Sequence, residues 1–281
     1  MILIADSGST KTAWWLGDDD ARSFDDGRVL TTPGLNPFQM TEEEMVEQMK
    51  QVQSTKNNGS ATIHFYGAGC TKEKAPVVAS ALHRVFGDDA DVFVGSDMLG
   101  AARAVCGCAE GIVGILGTGS NSCLYDGHDL QANVSPLGYI LGDEGSGAYI
   151  GKRLVGNCLK RQFSDELCEL FLSEMQLTPA DIIQRTYREP MPNRFLASLS
   201  PFCFRHHDRE EMEAFLVDCF SEFFKRNVAL YGRPDLPVHF VGSIAWQYEG
   251  ELKTAAEQCG FRVGNILKEP LSGMVNYVLC K

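Results

Sequence analysis

The chain has 281 residues, 44% of them hydrophobic and 22% charged, an ordinary balance for a folded protein of one large or two medium domains. Its net charge of −12 opposes nucleic acid and anionic membrane surfaces, so neither is expected as a partner. Asp6 interrupts the apolar start, no basic segment precedes it, and no stretch approaches the ~20 apolar residues of a spanning helix, so a cytoplasmic protein is expected.

Residues 2–6 form an apolar run ending in an acid and read as a buried strand. Residues 7–10 are small and turn-forming. Residues 12–16, rich in Thr and Trp, return as a second strand, and 29–32 form a third. Pro33-Gly34 then opens a loop carrying Asn36 and Pro37. Thr41 and Glu44 have the spacing of a capping box, which predicts a helix over 41–50 with Met45, Val46 and Met49 on one face. A strand over 61–66 leads into Gly67-Ala68-Gly69. A helix over 72–86 buries Val77, Val78, Ala81, Leu82 and Val85. The strand 91–94 ends at Gly95-Ser96-Asp97, which opens a helix running through Val105.

Residues 112–116 are again a buried strand, followed by the turn Gly117-Thr118-Gly119-Ser120 and a returning strand over 121–125. This strand–turn–strand pattern repeats the first one about 110 residues later and predicts a duplicated α/β core. After Leu141-Gly142-Asp143-Glu144-Gly145-Ser146-Gly147 the chain turns mainly helical, with helices over 148–160, 165–175, 179–187 and 209–231. A strand over 238–241 ends at Gly242-Ser243. A helix over 253–259, a short strand over 261–263 and a closing helix over 271–279 complete the chain.

Five segments have chemistry to offer. In Asp6-Ser7-Gly8-Ser9-Thr10-Lys11-Thr12, small residues let backbone N–H groups approach an anion, hydroxyls at Ser9, Thr10 and Thr12 could add donors, and Asp6 could hold hydrated Mg²⁺. It is no Walker A loop, because a strand follows it, and a plain hairpin turn accounts for it equally well. Gly117-Thr118-Gly119-Ser120 has the same composition in the equivalent place. Asp97 reads first as a helix N-cap and second as a base at the carboxyl end of a strand. The segment 141–147 sets two acids among three glycines, which suits a ligand loop whose acids bond sugar hydroxyls. Gly242-Ser243 after a strand permits close approach to a flat ring. The ten cysteines are scattered, several in apolar periodic segments such as 217–220, which predicts buried free thiols. Cys106 and Cys108 are the only close pair, and no His/Cys cluster completes a zinc site around them.

In this order and spacing the five segments resemble the superfamily of sugar kinases, acetate kinase, actin and the heat-shock chaperones. Within it the chain is most similar to N-acetylglucosamine kinases and the related BadF/BadG-type ATPases, with 141–147 the most specific element. The resemblance runs from Asp6 to about Ala245, and only about 161–235 carries no matching motif. It implies an α/β chain of two ribonuclease-H-like lobes, the actin-like ATPase fold, with the nucleotide cleft between them and the second lobe enlarged by helices. The lobes are expected at 1–108 and 109–267, with a helix in 268–281 packing back on the first. The implied activity is ATP- and Mg²⁺-dependent phosphorylation of an amino sugar, with N-acetylglucosamine going to its 6-phosphate.

The resemblance also implies residue roles. Asp6 lies on the magnesium side. Gly8, Ser9, Thr10, Lys11 and Thr12, with Gly117, Thr118 and Gly119, contact phosphate, and Gly242 and Ser243 lie near adenosine. Asn36, Asp97, Gly138 and Asp143 bind the sugar, and Asp97 is also the general base. A homodimer through the second lobe is implied as well. The sequence departs from the family in two places. Leu137-Gly138 stands where these kinases often carry an aromatic residue, and Ser7-Gly8-Ser9 stands where they usually have a run of glycines. A BadF-type activator would bring a cysteine to the glycine loop for an iron–sulfur cluster, whereas here the loop offers Asp143 and Glu144. A sugar-binding regulator related to kinase-like repressors would add an N-terminal DNA-binding domain, whereas this sequence begins directly with the first strand.

Overall fold

The structure, a computed structural model, describes residues 1–8, 10–53 and 60–280. Ser9, one of the expected phosphate contacts, lies outside the described residues. The chain divides into two units. The first comprises Met1–Ala109, Asp126–Asp129 and Glu269–Lys281, and the second comprises Glu110–Tyr125 and Leu130–Lys268.

The first unit is built on strands β1 (Ile2–Ser7), β2 (Lys11–Gly17), β3 (Arg28–Pro33), β4 (Thr62–Gly67) and β5 (Asp91–Ser96), in the order β3-β2-β1-β4-β5. The hairpin strands β1, β2 and β3 pair antiparallel, and β4 and β5 join parallel to β1. Side chains alternate across a strand, and both faces of this sheet are covered. Leu3, Ala5, Trp14, Ile63 and Phe65 enter one core with Met45, Met49 and Val52 of the helix Glu42–Gln53 and with Val78, Ala81 and Leu82 of the helix Ala75–Phe86. On the other face Tyr66 and Phe93 meet Arg103, which also stacks on Tyr277 of the closing helix Leu271–Leu279. There the helix Asp97–Cys106 packs so tightly that a Cβ added at Gly100 would lie 2.4 Å from Met274 Cε, and one at Gly273 would lie 2.4 Å from Ala104 O.

The second unit repeats the sheet. Its strands are β6 (Gly111–Leu116), β7 (Ser120–Tyr125), β8 (Leu130–Ala132), β9 (Val238–Val241) and β10 (Val263–Leu267). Their order β10-β9-β6-β7-β8 and their directions match the first sheet strand for strand, so the duplication expected from the two turns is present in the topology. The helix Glu210–Arg226 lies at the centre of a large aromatic core, with Phe220, Phe223 and Phe224 fully buried beside Phe240 of β9 and Phe171, Phe202 and Tyr248 of neighbouring helices. The ten cysteines are free, and seven of the helices fill the interval between β8 and β9.

Several boundaries differ from expectation. The helix expected over 209–231 stops at Arg226, and Val228–Tyr231 continues as a 3₁₀ turn; Asn227 caps the helix at the junction, its N–H donating to Phe223 O and its amide reaching Glu144. The last strand is Val263–Leu267 rather than 261–263, with a register irregularity between Val263 and Ile266. Short helices at Pro192–Ala197, Ser200–Arg205 and Ser243–Gln247 were not expected.

Candidate active site

In open α/β sheets, ligands collect at the carboxyl ends of parallel strands. In the first unit those ends are in direct register, with Ser7 opposite Gly67 and Gly67 opposite Ser96. Asp6, the hairpin turn after it and Asp97 therefore gather at one edge of the sheet. The turn is closed by Gly8 N–H donating to Lys11 O at 2.9 Å, and Gly8, Thr10 and Lys11 are exposed. Thr12 points the other way. Its hydroxyl donates to Pro33 O at 3.1 Å and lies 2.8 Å from Ser7 Oγ, so it braces the turn from inside. Ser7 Oγ in turn accepts from Leu35 N at 3.0 Å, which fixes the loop carrying Asn36 beside the turn. Asn36 is buried, and its Oδ1 accepts from Phe38 N. A Cβ at Gly69 would lie 2.5 Å from that oxygen, so the 67–69 loop closes directly over it.

The cap reading of Asp97 is corrected by the backbone. The N-cap is Ser96, extended at φ −71° and ψ 157°, whose Oγ accepts from Leu99 N at 3.2 Å. Asp97 is the first helical residue, and its Oδ1 accepts from Met98 N at 2.9 Å. Capping is thus supplied by the neighbour, and Ser96→Ala is expected to cost about 1 kcal/mol of stability, read as a lowered thermal midpoint.

Electrostatics mark this edge. Burial raises the Asp97 carboxyl above its ordinary range, opposed by the backbone N–H of Met98. Asp6 is pushed up to about 6, by burial first and then by the negative charges of Asp97 and Glu269, with Lys11 opposing. Lys11 lies 3.5 Å from Glu269, the first residue of the returning C-terminal segment. Glu269 was not singled out in the sequence, since only the fold brings it to this turn. An excess of carboxylate oxygen at a phosphate-sized turn suits a hard cation such as Mg²⁺. Among the described residues no group of three or more ligating side chains encloses an ion, so such a cation would complete its shell with water and phosphate oxygens.

The second unit presents the corresponding edge. Ile115, Val241 and Leu267 are in register, followed by the turn 117–119 and by Gly242. Gly242 has φ 125°, its N–H donates to Leu267 O at 2.9 Å, and a Cβ there would lie 2.2 Å from Leu116 O. The glycine loop is tied to the turn at three points. Gly147 N donates to Gly117 O at 2.8 Å, Ala148 N donates to Thr118 O at 3.0 Å, and Ser120 N donates to Asp143 Oδ1 at 3.3 Å. Asp143 is buried at φ 54°, and burial first of all raises its carboxyl above the ordinary range. Glu144 pairs with Arg226 at 2.7 Å and accepts from Asn227, which anchors the loop to the central helix. Gly138 is exposed at the start of the short helix Gly138–Leu141, and Lys152 holds that helix through Tyr139 O at 2.8 Å.

Each unit therefore carries a hairpin turn of small residues at the end of its first strand, on a sheet of one shared topology. This is the actin-like ATPase fold, the architecture of sugar kinases. No protein-family model and no curated protein matches the chain. Among solved structures, a protein from Porphyromonas gingivalis described as a "putative N-acetylglucosamine kinase" is 45% identical over 100% of this chain and 99% of its own, with a TM-score of 0.89. A protein of the same description from Chromobacterium violaceum is 18% identical over 100% of this chain and 98% of its own, at a TM-score of 0.72. A ROK hexokinase from Thermus thermophilus is 14% identical over 99% and 97%, at 0.54. These last two show the shared fold. The chain belongs to the family of the Porphyromonas protein, the N-acetylglucosamine kinase-like family of the sugar kinase, actin and heat-shock chaperone superfamily. No helix among the described residues is long and apolar enough to cross a membrane.

Proposed function

We propose that the protein is an ATP-dependent kinase that phosphorylates the primary hydroxyl of an amino sugar, N-acetylglucosamine to its 6-phosphate. The observation that carries the reading is Asp97. It is a half-buried carboxylate at the head of a helix, level with the turn that follows Asp6, in a chain 45% identical to a protein described as such a kinase.

In this reading ATP is the second substrate. Gly8, Thr10 and Lys11 of the first unit and Gly117, Thr118 and Gly119 of the second receive its phosphates, and Gly242 and Ser243 its adenosine. Thr12 contributes by bracing the first turn, since its hydroxyl is engaged within the fold. Asn36, Asp143 and Gly138 hold the sugar, with Asp143 using the lone pairs left beside its bond from Ser120 N. Asp97 accepts the proton of the sugar hydroxyl as that oxygen forms its bond to the γ-phosphorus and the bond to the ADP oxygen breaks. A carboxylate whose basicity is raised by burial suits that task. Mg²⁺, held at Asp6 through water, would neutralise charge on the transferring phosphates.

A coupled ADP-release assay across a panel of amino and N-acetylated sugars tests this. ADP release that depends on one sugar, with a phosphorylated product of the matching mass, is expected. Release without sugar dependence would make the protein an ATPase and overturn the kinase assignment.

A further inference from the structure

The chain has three tryptophans, and they are used differently. Trp14 and Trp15 are fully buried, and their indole N–H groups donate to Thr32 Oγ1 at 3.0 Å and to Phe24 O at 2.8 Å. Trp246 is 51% exposed, and among the described residues its indole has no ring partner, no stacked cation and no hydrogen bond. It lies on the helix Ser243–Gln247, three residues beyond Ser243, with its backbone N–H bonded to Gly242 O at 3.1 Å. Side chains on a helix lean toward the N-terminus and cover the turn before their own Cα. That direction sets the Trp246 side chain on the Gly242 side of this short helix, near a turn whose Ser243 is itself exposed. That turn rests directly on the end of β6, where Leu116 O would lie 2.2 Å from a Cβ at Gly242 and where the next residue is Gly117. One step further, Ile244 Cδ1 would lie 3.3 Å from a Cβ at Gly147, the residue hydrogen-bonded to Gly117 O.

We propose that Trp246 is the platform on which the base of a nucleoside polyphosphate stacks, with the phosphates running toward Gly117–Gly119. The inference rests on the ATP-binding reading above and adds the residue that holds the base. An exposed indole without a partner offers a large flat apolar face and loses little conformational freedom on being covered. Both properties suit a base, whose π-face stacks whatever its edge carries.

The test uses the full chain. Tryptophan emission is titrated with ATP, ADP and inorganic tripolyphosphate, with calorimetry in parallel on the wild type, Trp246→Phe and Trp246→Ala. ATP and ADP should change wild-type emission saturably. Trp246→Phe should abolish that change, because the two remaining indoles are buried. Trp246→Ala should weaken ATP and ADP binding by about five- to a hundredfold, the span of base–aromatic stacking, with Trp246→Phe between the two. Tripolyphosphate, having no base, should bind all three proteins alike. Unchanged ATP affinity in Trp246→Ala would sink the platform while leaving the kinase reading standing. So would a change in self-association without a change in affinity. A wild type that binds no nucleotide by calorimetry would sink both.

Discussion

Asp97→Asn should lose sugar-dependent ADP release by about 10²–10⁴-fold, the usual contribution of a positioned general base, while keeping its affinity for sugar and for ATP. The substitution is nearly isosteric. The amide oxygen can still accept the Met98 N–H that Asp97 Oδ1 accepts at 2.9 Å, and the helix keeps its cap because Ser96 supplies it. What changes is the ability to take a proton, and with it one negative charge beside Asp6. Because Asp97 is among the groups that push the Asp6 carboxyl up, the variant should fold at least as stably as the wild type. A loss of kcat with unchanged substrate affinity and an undiminished melting temperature is therefore the signature of a base. Full turnover in Asp97→Asn would remove Asp97 from that role. A fall in sugar affinity with kcat intact would make it a binding residue instead.

Most of what positions the site is legible in the sequence because it is local. Strands of five or six apolar residues that end in glycine and hydroxyl residues announce themselves by period and punctuation. That is why both hairpin turns, the 141–147 loop and the strand before Gly242 were found. The helix ends Pro179–Tyr187 and Leu271–Leu279 fall where expected for the same reason. Other features depend on neighbours far along the chain. Ser96 and Asp97 are both good caps, and only the backbone angles of Ser96 decide between them. Asp143 looks like a free ligand in sequence, yet it accepts a hydrogen bond from Ser120, 23 residues away, and so helps fix the second turn. Pro192–Ala197 and Ser200–Arg205 have six residues each, too few to show a helical period, and they are held by the aromatic core rather than by their own propensity. The last strand was misplaced because Gly264 and Asn265 break its apolar run. Gly264 is there for a packing reason, since a Cβ would lie 2.5 Å from the His239 ring.

Gly242→Ala and Gly117→Ala form the second test, because they separate a glycine needed by the fold from one needed by a ligand. Gly242 has φ 125° and ψ 158°, a region that side chains other than glycine reach only at a cost of ~1–3 kcal/mol. Its added methyl would also start 2.2 Å from Leu116 O, a backbone atom within a paired strand that cannot step aside. Overpacking of that kind adds a further ~1–3 kcal/mol. Gly242→Ala should therefore show a markedly lowered thermal transition, with nucleotide affinity falling as the edge of the second sheet deforms. Gly117 is the opposite case. A Cβ there meets nothing within 4 Å, so Gly117→Ala should melt with the wild type. The methyl occupies open space beside the turn where a phosphate would approach backbone N–H groups, and close approach is the reason for a small residue at such a turn. Nucleotide affinity should fall in Gly117→Ala with no loss of stability, by calorimetry alongside a thermal melt. Equal affinity in Gly117→Ala and wild type would mean that phosphate does not bind at this turn. An undiminished melting temperature in Gly242→Ala would mean that the turn after β9 has room to rearrange, and that its glycine does not fix the start of the helix carrying Trp246.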